Sequence, residues 1–367
     1  MILTRRVSGS ILRWLPNELL SEIISFSSPA AKLSLCRVSK LFHELAAISL
    51  YRVVMLQSYK QLHQFWESLS ENSTRARSVR IFTVTDTIGD LATNEYAERL
   101  DYNIFSTMDR LEILEFEVSP FDTRYMEILR HCTFPRLSDF KYIAPISTRP
   151  IIESFLGRHH NISRLIIGGL DTPATTPARF APLSKLRYYV GPTSFMDFFP
   201  SGINQILLLW TLDQPDIDGA FVKLAPLTEH GTQLTFSSLY IRDPAGAIFT
   251  ALAQYLPHTE CIQLRSVENK TRRLEPEYID AVVKSLGRFT ALRYLALEFL
   301  ALLDPVRDPM DAAAEEYTVD KQTVEKWGRS CPSLRECCFH GSAWRLLAGQ
   351  WTPIAESDLR ELGYRKY

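Results

Sequence analysis

At 367 residues the chain is long enough for one large domain and a small one, and a composition of 46% hydrophobic and 23% charged residues is ordinary for a globular protein. Lys and Arg number 41 against 42 Asp and Glu, so the formal charge of −1 gives no global electrostatic reason to expect nucleic acid or an anionic membrane as partner. No apolar run approaches the roughly 18 residues of a membrane span, MILTRRVSGS lacks the apolar centre of a signal peptide, and the 6 cysteines include no C-x-x-C pair, which together fit a cytoplasmic or nuclear protein.

The stretch Leu15 to Tyr51, LPNELLSEIISFSSPAAKLSLCRVSKLFHELAAISLY, predicts three short helices in a row. Leu15-Pro16 opens the first, because proline has no N–H to lose in a first turn and its φ is preset. Leu19, Leu20, Ile23, Ile24 and Phe26 recur at the helical period and make a wide apolar face. Ser27-Ser28-Pro29 breaks it. Leu33, Leu35 and Cys36 mark a second helix, and Phe42, Leu45 and Ala46 a third, closed by Leu50-Tyr51. About 40 residues rarely fold alone without a staple or a partner. These apolar residues are too many for three helices to hide among themselves, so the segment reads as a docking module completed by another surface.

Leu15-Pro16, Glu18-Leu19-Leu20, Ile23, Leu33, Val38, Lys40, Phe42, Leu45 and Leu50-Tyr51 stand in the order and approximate spacing of the F-box motif, which residues 12–55 resemble. Ser39 and Phe42 stand where that family often has Cys and Trp, and Ala30-Ala31 replaces a usual acidic residue. The resemblance implies binding to a Skp-type adaptor and, through it, to a cullin–RING ubiquitin ligase. It assigns Leu15, Pro16, Leu19, Leu20, Ile23, Val38 and Phe42 to the adaptor-binding surface, the last two partly shared with the trio's own core. The plainer alternative is a helical cap on a larger domain. His43-Glu44-Leu45-Ala46-Ala47 falls one histidine short of the zinc-binding H-E-x-x-H pattern, and reads as exposed polar positions on a helix.

Tyr59 to Asn72 is a helical pattern with Leu62, Phe65, Trp66 and Leu69 on one face, expected as a linker helix within residues 56–77. A frame of the form apolar–x–x–apolar–x–apolar then recurs. It stands at Val79/Phe82/Val84, Leu111/Leu114/Phe116, Leu137/Phe140/Tyr142, Ile162/Leu165/Ile167 and Leu183/Leu186/Tyr188. It continues at Ile203/Ile206/Leu208, Phe236/Leu239/Ile241, Thr259/Ile262/Leu264, Leu292/Leu295/Leu297 and Leu334/Cys337/Phe339. The mean period is about 28 residues, with uneven steps. Each frame ends in a short alternating strand, and helical patterns lie between frames at Tyr96–Met108, Arg124–Cys132, Pro150–Arg158, Phe221–Leu227, Ala247–Leu256, Tyr278–Leu286 and Val319–Trp327. The frame resembles the core of leucine-rich repeats, without the Asn or Cys usual a few residues later. The expected fold is α/β: an N-terminal three-helix F-box followed by an irregular leucine-rich-repeat-like solenoid over residues 78–343, with a cap at 344–367. In that fold Phe82, Leu114, Phe140, Leu165, Leu186, Ile206, Leu239, Ile262, Leu295 and Cys337 make one buried column, and a non-repetitive α/β domain is the alternative.

Leu170–Ala181 and Leu302–Glu316, rich in Pro with Thr or acidic residues, are expected as solvated loops. Alternation along the frames turns Glu115 and Glu117 outward early, then Lys141, Arg164, Lys185, Arg187, Tyr189, Tyr240, Arg242, Arg265 and Tyr294, then Glu298 and Glu336. A basic face with tyrosines between suits an acidic or phosphorylated protein client. No nucleophile stands beside a base, no Gly-rich phosphate loop is present, His159-His160 reads as a polar helix end, and Asp213, Asp216 and Asp218 read as a helix N-terminal cluster. The expectation is a non-enzymatic adaptor without metal or cofactor. A ligase-independent interaction scaffold is the second reading.

Overall fold

The computed structural model describes residues 15–86, 102–118, 124–143, 149–168, 182–210, 216–227, 235–240, 246–266, 274, 276–299, 314–339 and 342–355. The chain divides into two compact units, Met1–Asn161 and Ile162–Tyr367.

The first unit opens with α1 (Asn17–Ser25), α2 (Pro29–Leu35) and α3 (Lys40–Tyr51). The boundaries have local causes. Pro16 precedes α1, whereas Ser28 and Ser39 cap α2 and α3, each accepting at 3.2 Å from the backbone N–H three residues on. β1 (Val53–Leu56) follows directly, and its first three residues fall inside the span expected to belong to the helical module. Next come α4 (Tyr59–Glu71), α5 (Ser73–Ala76), β2 (Ile81–Asp86), a 3-10 turn at Tyr102–Thr107, β3 (Ile113–Val118), α6 (Arg124–His131), β4 (Asp139–Ile143) and α7 (Arg149–Arg158). The strands lie parallel in chain order, β1 to β4, in an open sheet. α4 is no free linker: Leu62, Phe65 and Leu69 are buried, and Phe65 stacks on Phe82 of β2 at 5.6 Å.

Aromatic packing fills this unit. Phe82 meets Phe116 edge-on at 6.2 Å, Phe116 meets Tyr142 at 6.3 Å, and Phe140 lies 4.7 Å from Phe155 of α7. The frame has a backbone counterpart. Its first residues, Val79, Leu111 and Leu137, are fully buried, and each donates its N–H back three residues to close a turn. The next carbonyl then serves two N–H groups of the following strand: Arg52 to Arg80 and Ile81, Arg80 to Glu112 and Ile113, Glu112 to Ser138 and Asp139. One turn geometry therefore delivers each chain segment into the sheet.

The second unit contains β5 (Arg164–Gly168), β6 (Tyr188–Pro192), a 3-10 turn at Thr193–Phe198, β7 (Gln205–Trp210), α8 (Ile217–Leu224) and β8 (Thr235–Tyr240). It continues with α9 (Ala247–Tyr255), β9 (Cys261–Ser266), α10 (Pro276–Leu286), β10 (Tyr294–Phe299), α11 (Ala314–Ser330) and β11 (Glu336–Phe339). β5 to β11 are parallel and in chain order. β12 (Ser342–Leu347) and β13 (Gln350–Ile354) then add antiparallel strands to β11. Ala348 and Gly349, at φ 50° and 83°, make the two-residue turn that joins them. Trp344 and Trp351 are buried on this hairpin, and Gly328 of α11 lies so close that a Cβ there would stand 2.5 Å from Trp351 Nε1.

Register corrects the expected column at two strands. The residues that align in this unit are Leu165, Tyr189, Ile206, Phe236, Ile262, Leu295 and Cys337, all fully buried. Tyr189 replaces Leu186, and Phe236 replaces Leu239. The frame repeats itself after three residues wherever a spare apolar side chain stands there, as in Leu183, Leu186 and Tyr189. Leu186 donates its N–H to Leu183 O and so is the turn residue of its frame, not its strand residue. A slip of three is odd, so it exchanges core-facing and outward positions.

Most expected helices are present with ends shifted by a few residues. α8 starts at Ile217, not Phe221, and α11 starts at Ala314, so the last three residues of the expected Leu302–Glu316 loop are helical. Of Tyr96–Met108 the described part is the 3-10 turn. Leu170–Ala181 lies outside the described residues.

Candidate functional site

The three N-terminal helices are short, and the fully buried apolar side chains on them are Leu20, Ile24 and Ala46; α2 buries none. The rest of the apolar face remains in solvent. Leu19, Ile23 and Phe26, one helical stripe at i, i+4 and i+7, are 45%, 56% and 84% exposed. Leu33 and Val38 are exposed as well, and so is Ile48. An exposed apolar set of this kind marks a docking surface.

Of the residues expected to bind an adaptor, Leu19, Ile23, Val38 and Pro16 are exposed, and Leu15 and Phe42 are half-buried. Leu20 is a correction: at 4% exposed it packs inward, because it lies one residue, about 100°, around the helix from Leu19. Val38, expected to be partly shared with the core, is 65% exposed. Phe26 and Leu33 belong with the exposed set. Phe26 stands in the apolar series of the first helix and Leu33 in the motif, so both were visible in the sequence. His43 and Glu44 are exposed, and His43 Nδ1 hydrogen-bonds with Cys36 O at 3.1 Å, tying α3 to the end of α2.

Residues 12–57 match the F-box-like family. This stretch is an F-box-like domain. It covers the three helices and ends just past β1. An F-box-like domain points to an adaptor role, the binding of Skp-type proteins. No curated protein matches the chain.

The residues expected on the outward sheet face fare unevenly. In the first unit Lys141 is half-buried and ion-paired with Glu117, while Glu115 accepts from Thr83 Oγ1 at 3.1 Å. In the second unit Arg164 is half-buried with its guanidinium 5.1 Å from the ring centre of Tyr188, and Arg265 is half-buried. Lys185 and Arg187 are exposed just before β6, and Arg187 Nη1 donates to Gly202 O at 3.1 Å. Tyr189 is a correction. It is fully buried, its hydroxyl donates to Pro192 O at 2.6 Å, and it crowds Gly191, where a Cβ would stand 2.5 Å from that hydroxyl. Tyr294 is also a correction, at 5% exposed in a cluster with Cys261, Ala296, Cys338 and Ala343. Glu336, expected to face outward, is buried and accepts from Arg345 Nε at 2.6 Å. Tyr240 lies in β8, and Arg242 lies outside the described residues. The row that does align on the alternate face of β5 to β7 is Ile166, Val190 and Leu207, all half-buried.

His159 is a core residue and not the polar helix end expected of it. Its Nδ1–H donates to Phe155 O at 2.7 Å, its Nε2 accepts the Phe134 N–H at 2.9 Å, and its ring lies 3.9 Å from that of Phe155. Both nitrogens are used by the neutral ring. Burial, with a smaller push from the Arg158 cation, lowers its pKa from 6.5 to about 4. Asp216 caps α8, accepting from Gly219 N–H at 2.9 Å; Asp213 lies outside the described residues. Burial pushes the thiols of Cys132, Cys261 and Cys337 up, as for small packing residues. Among the described residues no group of three or more His, Cys, Asp or Glu could hold a metal ion, and no helix is long and apolar enough to cross a membrane.

Proposed function

We propose that this chain is the substrate-recognition adaptor of a Skp–cullin–F-box ubiquitin ligase. In this reading it docks a Skp-type protein through Leu19, Ile23, Phe26, Leu33 and Val38 and presents a protein client from its strand-rich body. Ubiquitin-transfer chemistry lies on other subunits, and the chain contributes proximity, holding a client lysine near the activated ubiquitin. The observation that carries the reading is the exposure of an apolar helical stripe on a segment matching the F-box-like family. The cytoplasm or nucleus is the compartment this role requires.

For the body we propose an irregular leucine-rich-repeat-like solenoid. Parallel strands in chain order and a turn-and-carbonyl device that recurs at successive strands support it. The client surface is the alternate face of the strands. At β5 to β7 that face offers the apolar row Ile166, Val190 and Leu207, with Arg164 over Tyr188 beside it, a better match to an extended segment with apolar anchors and acidic or phosphorylated flanks than to a purely acidic one. The test is co-expression of the full chain with a Skp-type adaptor and a cullin scaffold. Co-purification of all three, lost when Leu19 is replaced by Asp, is the expected result. Adaptor capture at wild-type strength by that variant would overturn the docking surface.

A further inference from the structure

Next to the apolar trio surface, and sharing Ile48 with it, the first unit holds a groove of about 400 Å³ bounded by α1, the ends of α3 and α5 and the starts of β2 and β3. Arg52, Arg77, Arg80 and Arg110 line it, together with Ser49, and Glu112 is the single carboxylate among its lining residues. The four arginines come from three stretches of the chain: Arg52 at the end of α3, Arg77 and Arg80 on the turn between α5 and β2, and Arg110 before β3. Arg80 is held in place: its Nη1 donates to Arg110 O at 3.0 Å and stands 3.6 Å from Glu112 Oε1. Among the described residues Arg52, Arg77 and Arg110 have no side-chain hydrogen bond or ion pair.

The fold itself brings these charges together. Arg52 and Arg80 occupy equivalent positions in the carbonyl ladder, so their backbones sit on neighbouring strands roughly 5 Å apart. Like charges placed so oppose folding. The carbonyl ends of α3 and α5 account for one cation each, since Arg52 and Arg77 are the residues that end those helices. They do not account for Arg80 and Arg110 converging on the same concavity with one carboxylate for compensation. Planar forked donors around a hydroxyl-lined hollow match the oxygens of a phosphate group.

We propose that this groove binds a phosphate-bearing ligand, either a phosphorylated side chain of a bound protein or a free small polyphosphate. The site is independent of the adaptor reading, because none of its arginines belongs to the exposed apolar stripe. The experiment is titration of the full-length chain with pyrophosphate by calorimetry and thermal melting, beside the double variant Arg77→Gln with Arg110→Gln. Saturable binding that raises the melting temperature, and an affinity at least about ten-fold weaker in the double variant, is the expected result. Absence of saturable binding, or equal affinity in a folded double variant, would overturn it. If the double variant does not fold, Arg77→Gln alone, at an exposed helix end, decides the matter by the same comparison. A serine-phosphorylated peptide library and its unphosphorylated counterpart separate the two sources. Phosphate-dependent retention displaced by pyrophosphate assigns the ligand to a protein, and pyrophosphate binding without retention assigns it to a free polyphosphate.

Discussion

The helical trio and the strand-rich body use apolar residues of the same kinds at similar density, yet treat them in opposite ways. In the body each aligned frame residue is sealed: Phe82, Leu114 and Phe140 in the first unit, and Leu165 through Cys337 in the second, keep at most 1% of their surface. In the trio Leu20, Ile24 and Ala46 are sealed, whereas Leu19, Ile23, Phe26, Leu33 and Val38 are not. The difference lies in the number of layers. A strand between two neighbours and under a helix has three elements to cover its inward side chains, while a seven- or nine-residue helix has one or two. Apolar surface without a covering layer is stored binding free energy.

The comparison can be broken most forcefully from the body. Phe140→Ala empties a site packed by Phe155 and Tyr142, and should cost about 3–5 kcal/mol of folding stability by urea denaturation. A cost near zero would mean that this core is loosely packed, and the contrast with the trio would vanish.

Acid provides the next test. His159 is neutral in the folded chain with its pKa lowered to about 4, so between that value and 6.5 the unfolded chain binds the extra proton. Its stabilising contribution is complete above pH 6.5 and is lost as pH falls toward 4, amounting to roughly 3 kcal/mol at the acid end. Replacement by Gln should flatten the stability–pH curve in that window. A curve with unchanged slope would show that His159 titrates normally.

The trio should respond in binding rather than in folding. Leu19→Asp places a charge in a surface that is desolvated on docking, and should cost about 2–4 kcal/mol of adaptor affinity. The same change should leave stability within about 0.5 kcal/mol, as an exposed substitution does. A large stability loss would place Leu19 in the trio's core. The smallest effect is Ser39→Ala, which removes the cap of α3 and should lower the trio's stability by about 1 kcal/mol, read by hydrogen exchange of the α3 amides. Unchanged exchange would mean that packing alone holds α3.

How legible the molecule was in its sequence differs between these regions for a physical reason. Ser28 and Ser39 cap helices through atoms three residues away, and the helical period is local, so the trio could be read directly. Its exposed stripe was readable too, as a surplus of apolar residues; that Leu20 would turn in while Leu19 stayed out depends on a rotation that the wide apolar face leaves open. The strands were found, but two frames slipped by three residues because Leu186 and Leu239 satisfy the pattern as well as Tyr189 and Phe236 do.

The sequence by itself therefore determined the capped starts of α2 and α3, the recurrence of strand and helix, and the presence of an F-box-like segment, because caps and the helical and strand periods are local patterns. Tertiary structure alone decided the register where the pattern repeats itself, because register is set by hydrogen bonds between distant segments, and it turned Tyr189 inward; Tyr294 and Glu336 keep the alternate face, opposite Leu295 and Cys337, and are covered there by neighbouring strands. It alone turned His159 into a core residue, through a bond from Phe134 on another segment. It also gathered Arg52, Arg77, Arg80 and Arg110, which are unremarkable singly and line one groove where separate stretches of the chain meet.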